Sequence, residues 1–182
     1  MKKTKDEIQA YLLKNPKYSS EWIDLASTLM TEHDYDEEIL KLFNADQLKV
    51  ILSAIGKVED INLLINPELN STQMQILVSA YSNGLTTNQL LPYFDPKISY
   101  AKLNYALAAL SEGFDMGKYV KNNYDELQIY EIYSGYKSGV DYTKYDSVNN
   151  DARIMGLARH ALELEYEIEF NTIDGKNVLT IK

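Results

Sequence analysis

A helix-start pattern recurs six times along this chain, at intervals of 25 to 29 residues. Each copy opens with a residue type that favours a helix N-cap, and an apolar anchor follows four residues later. The caps are Ser19, Asn44, Asn70, Ser99, Asp125 and Asn150. The anchors are Ile23, Leu48, Met74, Leu103, Ile129 and Ile154. Because one amphipathic helix cannot bury its own apolar face, the copies predict helices stacked side by side.

The second half of each repeat predicts a corner followed by a shorter helix. In the three most regular copies a glycine ends the long helix ten residues after the anchor, and these are Gly84, Gly113 and Gly139. His33, Val58 and Leu164 take this place in the other copies. A second cap follows at Asp60, Thr86, Asp115 and Asp141. The short segments, α or 3₁₀, then bring one buried position into register, at Leu64, Leu90, Tyr119 and Tyr145.

The two ends of the chain depart from the repeat. Near the N-terminus Thr4 and Glu7 form a capping box, which predicts a helix over residues 4–14. Near the C-terminus Tyr166, Ile168 and Phe170 alternate with polar residues, which predicts a β-hairpin with a turn at Asp174-Gly175 and a loop longer than the tightest type. Such a hairpin would either cap the last helix or offer its edge to a partner.

The predicted fold class is therefore all-α, an α-solenoid of about six short two-helix repeats. An N-terminal capping helix spans residues 1–17, the repeat array spans 18–164, and the C-terminal β-hairpin spans 165–182. The longest repeat interval contains Pro92 and Pro96, which predicts a kinked or lengthened corner there.

Composition narrows the classes of partner. The formal net charge is −9, which repels nucleic acid and favours a protein with a basic surface. The candidates for a weak nucleic-acid contact are the Lys2-Lys3-Lys5 arm and Lys118 with Lys121. Cysteine is absent, which fits a reducing cytoplasm. No apolar run predicts a membrane span, and the basic start lacks the apolar segment of a signal peptide.

Catalytic and metal-binding patterns are weak. His33 stands beside Asp34, Asp36, Glu37 and Glu38, a cluster that admits a hard cation or a metal-dependent hydrolase as a minor alternative. Yet Asp36 is placed to cap the next helix, and His160 has no second histidine near it in the sequence. No phosphate-binding loop, dinucleotide fingerprint or nucleophile elbow is present. We therefore expect no enzyme activity, no cofactor and no metal.

What remains is recognition of a partner by a surface. Tyrosine is abundant, with 15 residues, and it combines apolar area with a polar tip. The candidate partner-binding residues are Asp115, Asp125, Glu126, Tyr130, Glu131, Asp141, Tyr142 and Asp146. The simpler interpretation is that recurring acids cap helices or solvate the surface, and that Tyr119 and Tyr145 belong to the core. Tyr130 and Tyr142 lie off the apolar positions of the repeat, so they are the better binding candidates.

The pattern Gly113-Phe114-Asp115 followed by Tyr119, and Gly139-Val140-Asp141 followed by Tyr145, resembles short helical repeats in proteins of bacterial mobile elements. This resemblance covers residues 44–165. In size, acidity and repeat type, the whole chain also resembles a type II-A anti-CRISPR, a class of phage or mobile-element proteins that inhibit Cas9. The second resemblance implies binding to the Cas9–guide RNA complex and a block of DNA cleavage, and it carries over no catalytic residue. The alternative is a general protein–protein interaction adaptor of a mobile element.

Overall fold

The structure is a computed structural model that describes residues 3–182. Met1 and Lys2, which belong to the predicted capping segment and basic arm, lie outside the described residues. The chain divides into two compact units, one ending at Pro96 and the other spanning Lys97–Lys182. The boundary falls within the longest repeat interval, directly after the second of the two prolines.

From residue 3 onward, the first unit contains six α-helices. They are α1 (Lys5–Leu12), α2 (Ser20–Glu32), α3 (Glu37–Leu40), α4 (Ala45–Ala54), α5 (Ser71–Ser82) and α6 (Thr87–Leu90). A 3₁₀ turn at Ile61–Leu64 follows α4, and another at Leu91–Tyr93 follows α6. The predicted capping box of Thr4 and Glu7 is present, and α1 packs on α2. The longer helices α2, α4 and α5 pack as consecutive neighbours.

The second unit contains four α-helices and a β-hairpin. They are α7 (Tyr100–Ser111), α8 (Gly117–Lys121), α9 (Glu126–Ser138), α10 (Ala152–Glu163), β1 (Ile168–Ile173) and β2 (Lys176–Ile181). A 3₁₀ turn at Tyr142–Lys144 separates α9 from α10. The long helices α7, α9 and α10 again pack in sequence order, and the hairpin packs on α10. The described chain is thus mostly helical with a C-terminal antiparallel hairpin.

Five of the six predicted N-caps are confirmed, and the sixth is wrong by one residue. The side chains of Ser19, Asn44, Asn70, Ser99 and Asp125 each accept a hydrogen bond from the third helical N–H. In α10 the cap is Asp151 and the fully buried anchor is Met155, whereas Ile154 is half-buried. Asn150 is instead buried before the cap, because its side chain donates to the Tyr145 carbonyl oxygen at 2.9 Å.

The short segments bury the four positions predicted from the repeat. Leu64, Leu90, Tyr119 and Tyr145 are all fully buried. Asp60 and Asp141 cap 3₁₀ turns. Asp115 lies one residue before the cap of α8, and its carboxylate accepts from the Gly117 N–H at 2.8 Å.

Left-handed residues end most of the long helices, as the glycine pattern predicts. Gly84, Gly113 and Gly139 have φ of +86°, +89° and +73°. Asp34 takes this conformation after α2, not His33, and Gly56 takes it after α4, not Val58. Glu165 takes it after α10, not Leu164, which follows from the one-residue shift of that repeat.

Buried glutamines join consecutive repeats in a way that the periodicity alone does not reveal. Gln128 stands third in α9, and its Nε2 donates to the carbonyl oxygens of Val148 at 3.0 Å and Asn150 at 2.7 Å. Gln47 makes the same pair of bonds to Pro67 and Leu69. Each amide therefore caps its own helix and also binds the segment that leads into the next long helix.

A small residue stands six positions after each buried anchor from the second repeat onward. These residues are Ala54, Ala80, Ala109, Gly135 and Ala161. A Cβ at Gly135 would lie 1.9 Å from the Tyr145 hydroxyl oxygen. The small residue thus makes room for the buried side chain of the following short segment.

The hairpin has a tighter turn than predicted. Ile173 pairs with Lys176, so Asp174 and Gly175 alone form the loop, with φ of +49° and +73°. Two consecutive left-handed residues match the twist of the strands, so the Asp-Gly pair closes the shortest common hairpin and sets its register. Ile168, Phe170 and Leu179 lie on the less exposed face of the hairpin.

Candidate protein-binding surface

The exposed side of α9 carries a compact patch of acids and apolar groups. We call Asp125, Glu126, Leu127 and Tyr130 the α9 patch. Leu127 is 66% exposed and Tyr130 is 41% exposed. Glu126 and Leu127 stand four and three residues before Tyr130, so these three side chains are neighbours on the helix surface. Large apolar groups that remain exposed beside carboxylates are typical of a recognition surface.

The neighbouring helix α7 extends this surface. The Tyr105 and Tyr130 rings have centroids 5.5 Å apart. The Glu126 carboxylate accepts a hydrogen bond from the Ser99 hydroxyl at 2.5 Å. A shallow concavity of about 360 Å³ is lined by Lys102, Asp125, Glu126 and Leu127. The α9 patch therefore borders a shallow, open depression.

Three of the candidate acids cap helices or turns. Asp125 accepts from the Gln128 N–H at 2.8 Å, and its own N–H donates to that glutamine side chain. Asp115 and Asp141 accept from backbone N–H groups two residues further on. All three are exposed, so capping leaves part of each carboxylate in contact with solvent.

Glu131 is held inside the protein. Its side chain is 15% exposed, and its carboxylate accepts from Arg159 Nε of α10 at 2.8 Å. The same arginine donates to Glu163 at 2.7 Å, and the Ser138 hydroxyl donates to Glu163 at 2.6 Å. Hydrogen bonds from Ser138 and then from Arg159 lower the pKa of Glu163 to about 2. Arg159 therefore joins α10 to α9 through Glu131, and Glu163 adds a second link through Ser138.

Asp146 is also engaged by the fold. Its carboxylate accepts from the Tyr119 hydroxyl at 2.7 Å and lies 3.5 Å from Lys118 Nζ. Its backbone carbonyl accepts from the Tyr124 hydroxyl. Burial and the hydrogen bond to Asp146 raise the pKa of Tyr119 far above its ordinary value. These contacts tie the loop after the 3₁₀ turn to α8.

Tyr142 belongs to an aromatic cluster on the opposite end of α9. Its ring lies 5.1 Å from that of Phe114, which in turn stacks on Tyr136 at 4.3 Å. Tyr142 is half-buried, so it exposes a smaller fraction of its surface to a partner than Tyr130 does. Of the eight candidates, Glu126 and Tyr130 are those that the structure brings together, exposed, with Asp125 beside them.

Sequence reasoning missed Leu127 and Tyr100 as surface residues. Tyr100 is 60% exposed at the start of α7. Both stand outside the anchor positions of the repeat. An apolar residue that lies off the buried face of a helix is expected to be exposed, and this pattern would have predicted both as surface residues.

The acidic cluster after α2 does not form a metal site. Glu37 accepts from the Tyr18 hydroxyl at 3.0 Å, and Glu38 pairs with Lys41. Within residues 3–182 no three histidine, aspartate or glutamate side chains lie where they would hold one ion. A concavity of about 830 Å³ beside this cluster is lined by Tyr18, Trp22 and both glutamates, among others. Tyr18 and Trp22 stack there with centroids 3.9 Å apart.

No family model, curated protein or solved structure matches this chain. In the part of the chain that the structure describes, no helix is both long enough and apolar enough to cross a membrane.

Proposed function

We propose that this chain is a non-enzymatic protein-binding inhibitor, a phage or mobile-element anti-CRISPR that binds the Cas9–guide RNA complex in the cytoplasm and blocks DNA cleavage. Its scaffold in this proposal is an α-solenoid of about six two-helix repeats, and its contact surface is acidic and rich in tyrosine. The observation that carries the proposal is the α9 patch, where acids, a leucine and a tyrosine lie exposed on one helix face.

Charge supports a basic target. The chain has a net charge of −9, and an acidic surface raises the rate of encounter with a positive one. Cas9 holds its nucleic acids in a positively charged channel, and its PAM contacts are arginines. An exposed tyrosine and leucine surrounded by carboxylates would then slow dissociation, because buried aromatic and apolar anchors carry most interface energy.

The packing of the repeats supports a solenoid scaffold. In each unit the long helices pack in sequence order, and buried Gln47 and Gln128 bind the entry to the following repeat. Repeats that contact their sequence neighbours present long ordered faces to partners.

Cleavage of target DNA by guide-loaded Cas9, with equimolar purified protein added, tests the proposal. We expect cleavage to be blocked. Replacing Glu126 with Lys and Tyr130 with Ala together should raise the half-inhibiting concentration by about tenfold or more, because central anchors of this kind each contribute strongly. Glu131 and Asp146 are left intact, since their removal would weaken the fold.

The matched control is Glu68→Lys, which makes the same charge change at an exposed glutamate of the first unit. Circular dichroism checks that each variant is folded. Unchanged cleavage with several Cas9 orthologues would refute the Cas9 target. Recovery of a different stable partner in a pull-down from the host would favour the adaptor.

A further inference from the structure

The hairpin has an open hydrogen-bonding edge along β1. Glu167 and Lys182 exchange both backbone hydrogen bonds, at 3.2 and 2.9 Å. In an antiparallel pair such bonded pairs alternate with unbonded ones. The register therefore turns the N–H and C=O groups of Ile168, Phe170 and Thr172 away from β2. Within residues 3–182 none of these three N–H groups has a hydrogen-bond partner.

Two residues that alternate with them, Glu167 and Glu169, carry negative charge. Glu167 and Glu169 are exposed and lie on the face of the hairpin that also carries Lys182. Glu169 forms an ion pair with Lys182 across the hairpin, and the Glu167 charge also acts on Lys182. A strand added beside β1 in antiparallel orientation would meet both glutamates at unbonded pairs, where facing side chains approach most closely.

The charges disfavour some registers of pairing between two copies of this hairpin about a two-fold axis. With the axis at Ile168 or Glu169 of β1, glutamate would face glutamate. With the axis at Leu179 of β2, Lys176 of one copy would lie opposite Lys182 of the other. Like charges directly opposite each other destabilise a strand pair. The occupant whose charge complements Glu167 and Glu169 on the β1 edge is a positively charged strand.

We propose that the β1 edge is a second interaction surface, which takes up a basic extended segment of a partner protein as an added antiparallel strand. Lysine or arginine at alternate positions of that segment would face Glu167 and Glu169. Its backbone would bind the free groups of Ile168, Phe170 and Thr172, as in other cases of strand addition. The inference shares with the proposed function only the positive charge of the partner.

A designed peptide tests this surface directly. The probe alternates lysine and valine over about seven residues, the length of an ordinary strand. It is titrated into the isotope-labelled full chain, while NMR follows amide shifts and hydrogen exchange. We expect protection of the Ile168, Phe170 and Thr172 amides. A peptide with glutamate in place of lysine should bind with an affinity at least about tenfold lower, because its charges would repel Glu167 and Glu169.

Two protein variants separate the backbone contribution from the charge contribution. Thr172→Pro removes one outward N–H that the hairpin itself does not use, and proline is tolerated on such an edge. It should weaken binding of the lysine peptide several-fold. Glu167→Gln should weaken it by about two- to fivefold, the range expected for one cross-strand charge pair. Glu68→Gln is the control and should change nothing.

Three results would each overturn the inference. They are no binding of the lysine peptide at millimolar concentration, equal binding of the glutamate peptide, and protection of the β2 amides Asn177 and Leu179 instead. Self-association through the hairpin, measured by sedimentation of the chain alone, would also overturn it. The result of the peptide titration is independent of the result of the Cas9 cleavage assay, because the titration contains no Cas9 and the cleavage assay contains no peptide.

Discussion

Gly135 and Tyr145 show how one residue pair holds a short segment against a long helix. Tyr145 is fully buried, and its hydroxyl donates to the Glu131 carbonyl oxygen at 3.1 Å across the surface of Gly135. Two earlier repeats combine alanine with leucine at the same two positions, Ala54 with Leu64 and Ala80 with Leu90. The repeat before combines Ala109 with Tyr119, whose hydroxyl donates to Asp146 instead. Glycine is needed at position 135 because the Tyr145 hydroxyl lies where a Cβ would be.

Gly135→Ala should destabilise the protein by about 1–3 kcal/mol, the usual cost of overpacking, despite the better helix propensity of alanine. Tyr145→Phe removes the hydroxyl that the new Cβ would meet. The double variant should therefore lose less stability than the sum of the two single variants, as measured by urea unfolding.

Gly156→Ala is the matched control within α10. A Cβ there would lie 3.2 Å from the Glu131 carboxylate, against 1.9 Å from the Tyr145 hydroxyl at Gly135, so the loss should be smaller. An equal loss for Gly135→Ala and Gly156→Ala, or strict additivity with Tyr145→Phe, would contradict the steric explanation.

Between elements, the third residue of a long helix decides how firmly the next repeat is attached. Gln128 is buried and makes two hydrogen bonds to the segment before α10, in addition to its capping bonds. Trp22 has the equivalent place in α2, and its Nε1 donates to the Phe43 carbonyl oxygen at 3.0 Å. In α7 this place is taken by Lys102, whose side chain makes no such bond within the described residues.

Gln128→Ala should cost about 2–4 kcal/mol, because two buried carbonyl groups lose their donor and the capping bond is lost as well. Hydrogen exchange should then rise at the amides of α10 more than at those of α7. Lys102→Ala at the same helix position is the control and should cost less than about 1 kcal/mol. A similar loss in both variants would refute the joining role of the glutamine.

At the scale of the whole molecule, net charge influences the rate at which a charged partner associates. Acidic residues number 27 against 18 lysines and arginines. Many of the acids near α9 are engaged in caps or ion pairs, yet their charge still contributes to the field around the protein. Long-range attraction to a basic partner does not require that each carboxylate contact it.

For the proposed interaction with guide-loaded Cas9, the association rate should therefore fall as salt rises, by about tenfold between low and physiological ionic strength. The dissociation rate should change much less, because apolar contacts of Leu127 and Tyr130 are insensitive to salt. Stopped-flow mixing at several salt concentrations measures both rates. A salt-independent association rate would argue against electrostatic capture.

The repeat pattern by itself predicts much of the local structure. Short stretches of sequence specify the helix starts at Ser19, Asn44 and Asp125, because capping depends on nearby backbone geometry. They also specify the buried residues Leu64 and Tyr145, because burial recurs with the period of the repeat. The pattern places the last repeat one residue early because Asn150 is as good a capping residue type as Asp151. Only the contacts of the Asn150 side chain with the Tyr145 carbonyl oxygen and with Asn177 of the hairpin exclude it from the cap.

The tertiary structure alone decided how strongly each polar side chain is engaged. Glu126 and Glu131 are both acids of α9, yet Arg159, from 28 residues further along the chain, binds only Glu131. Asp146 is likewise taken by Tyr119, and Gln128 gains its second role from carbonyl groups 20 and 22 residues away. Local sequence specifies each helix and its buried face, whereas the availability of a side chain depends on partners that only packing brings near.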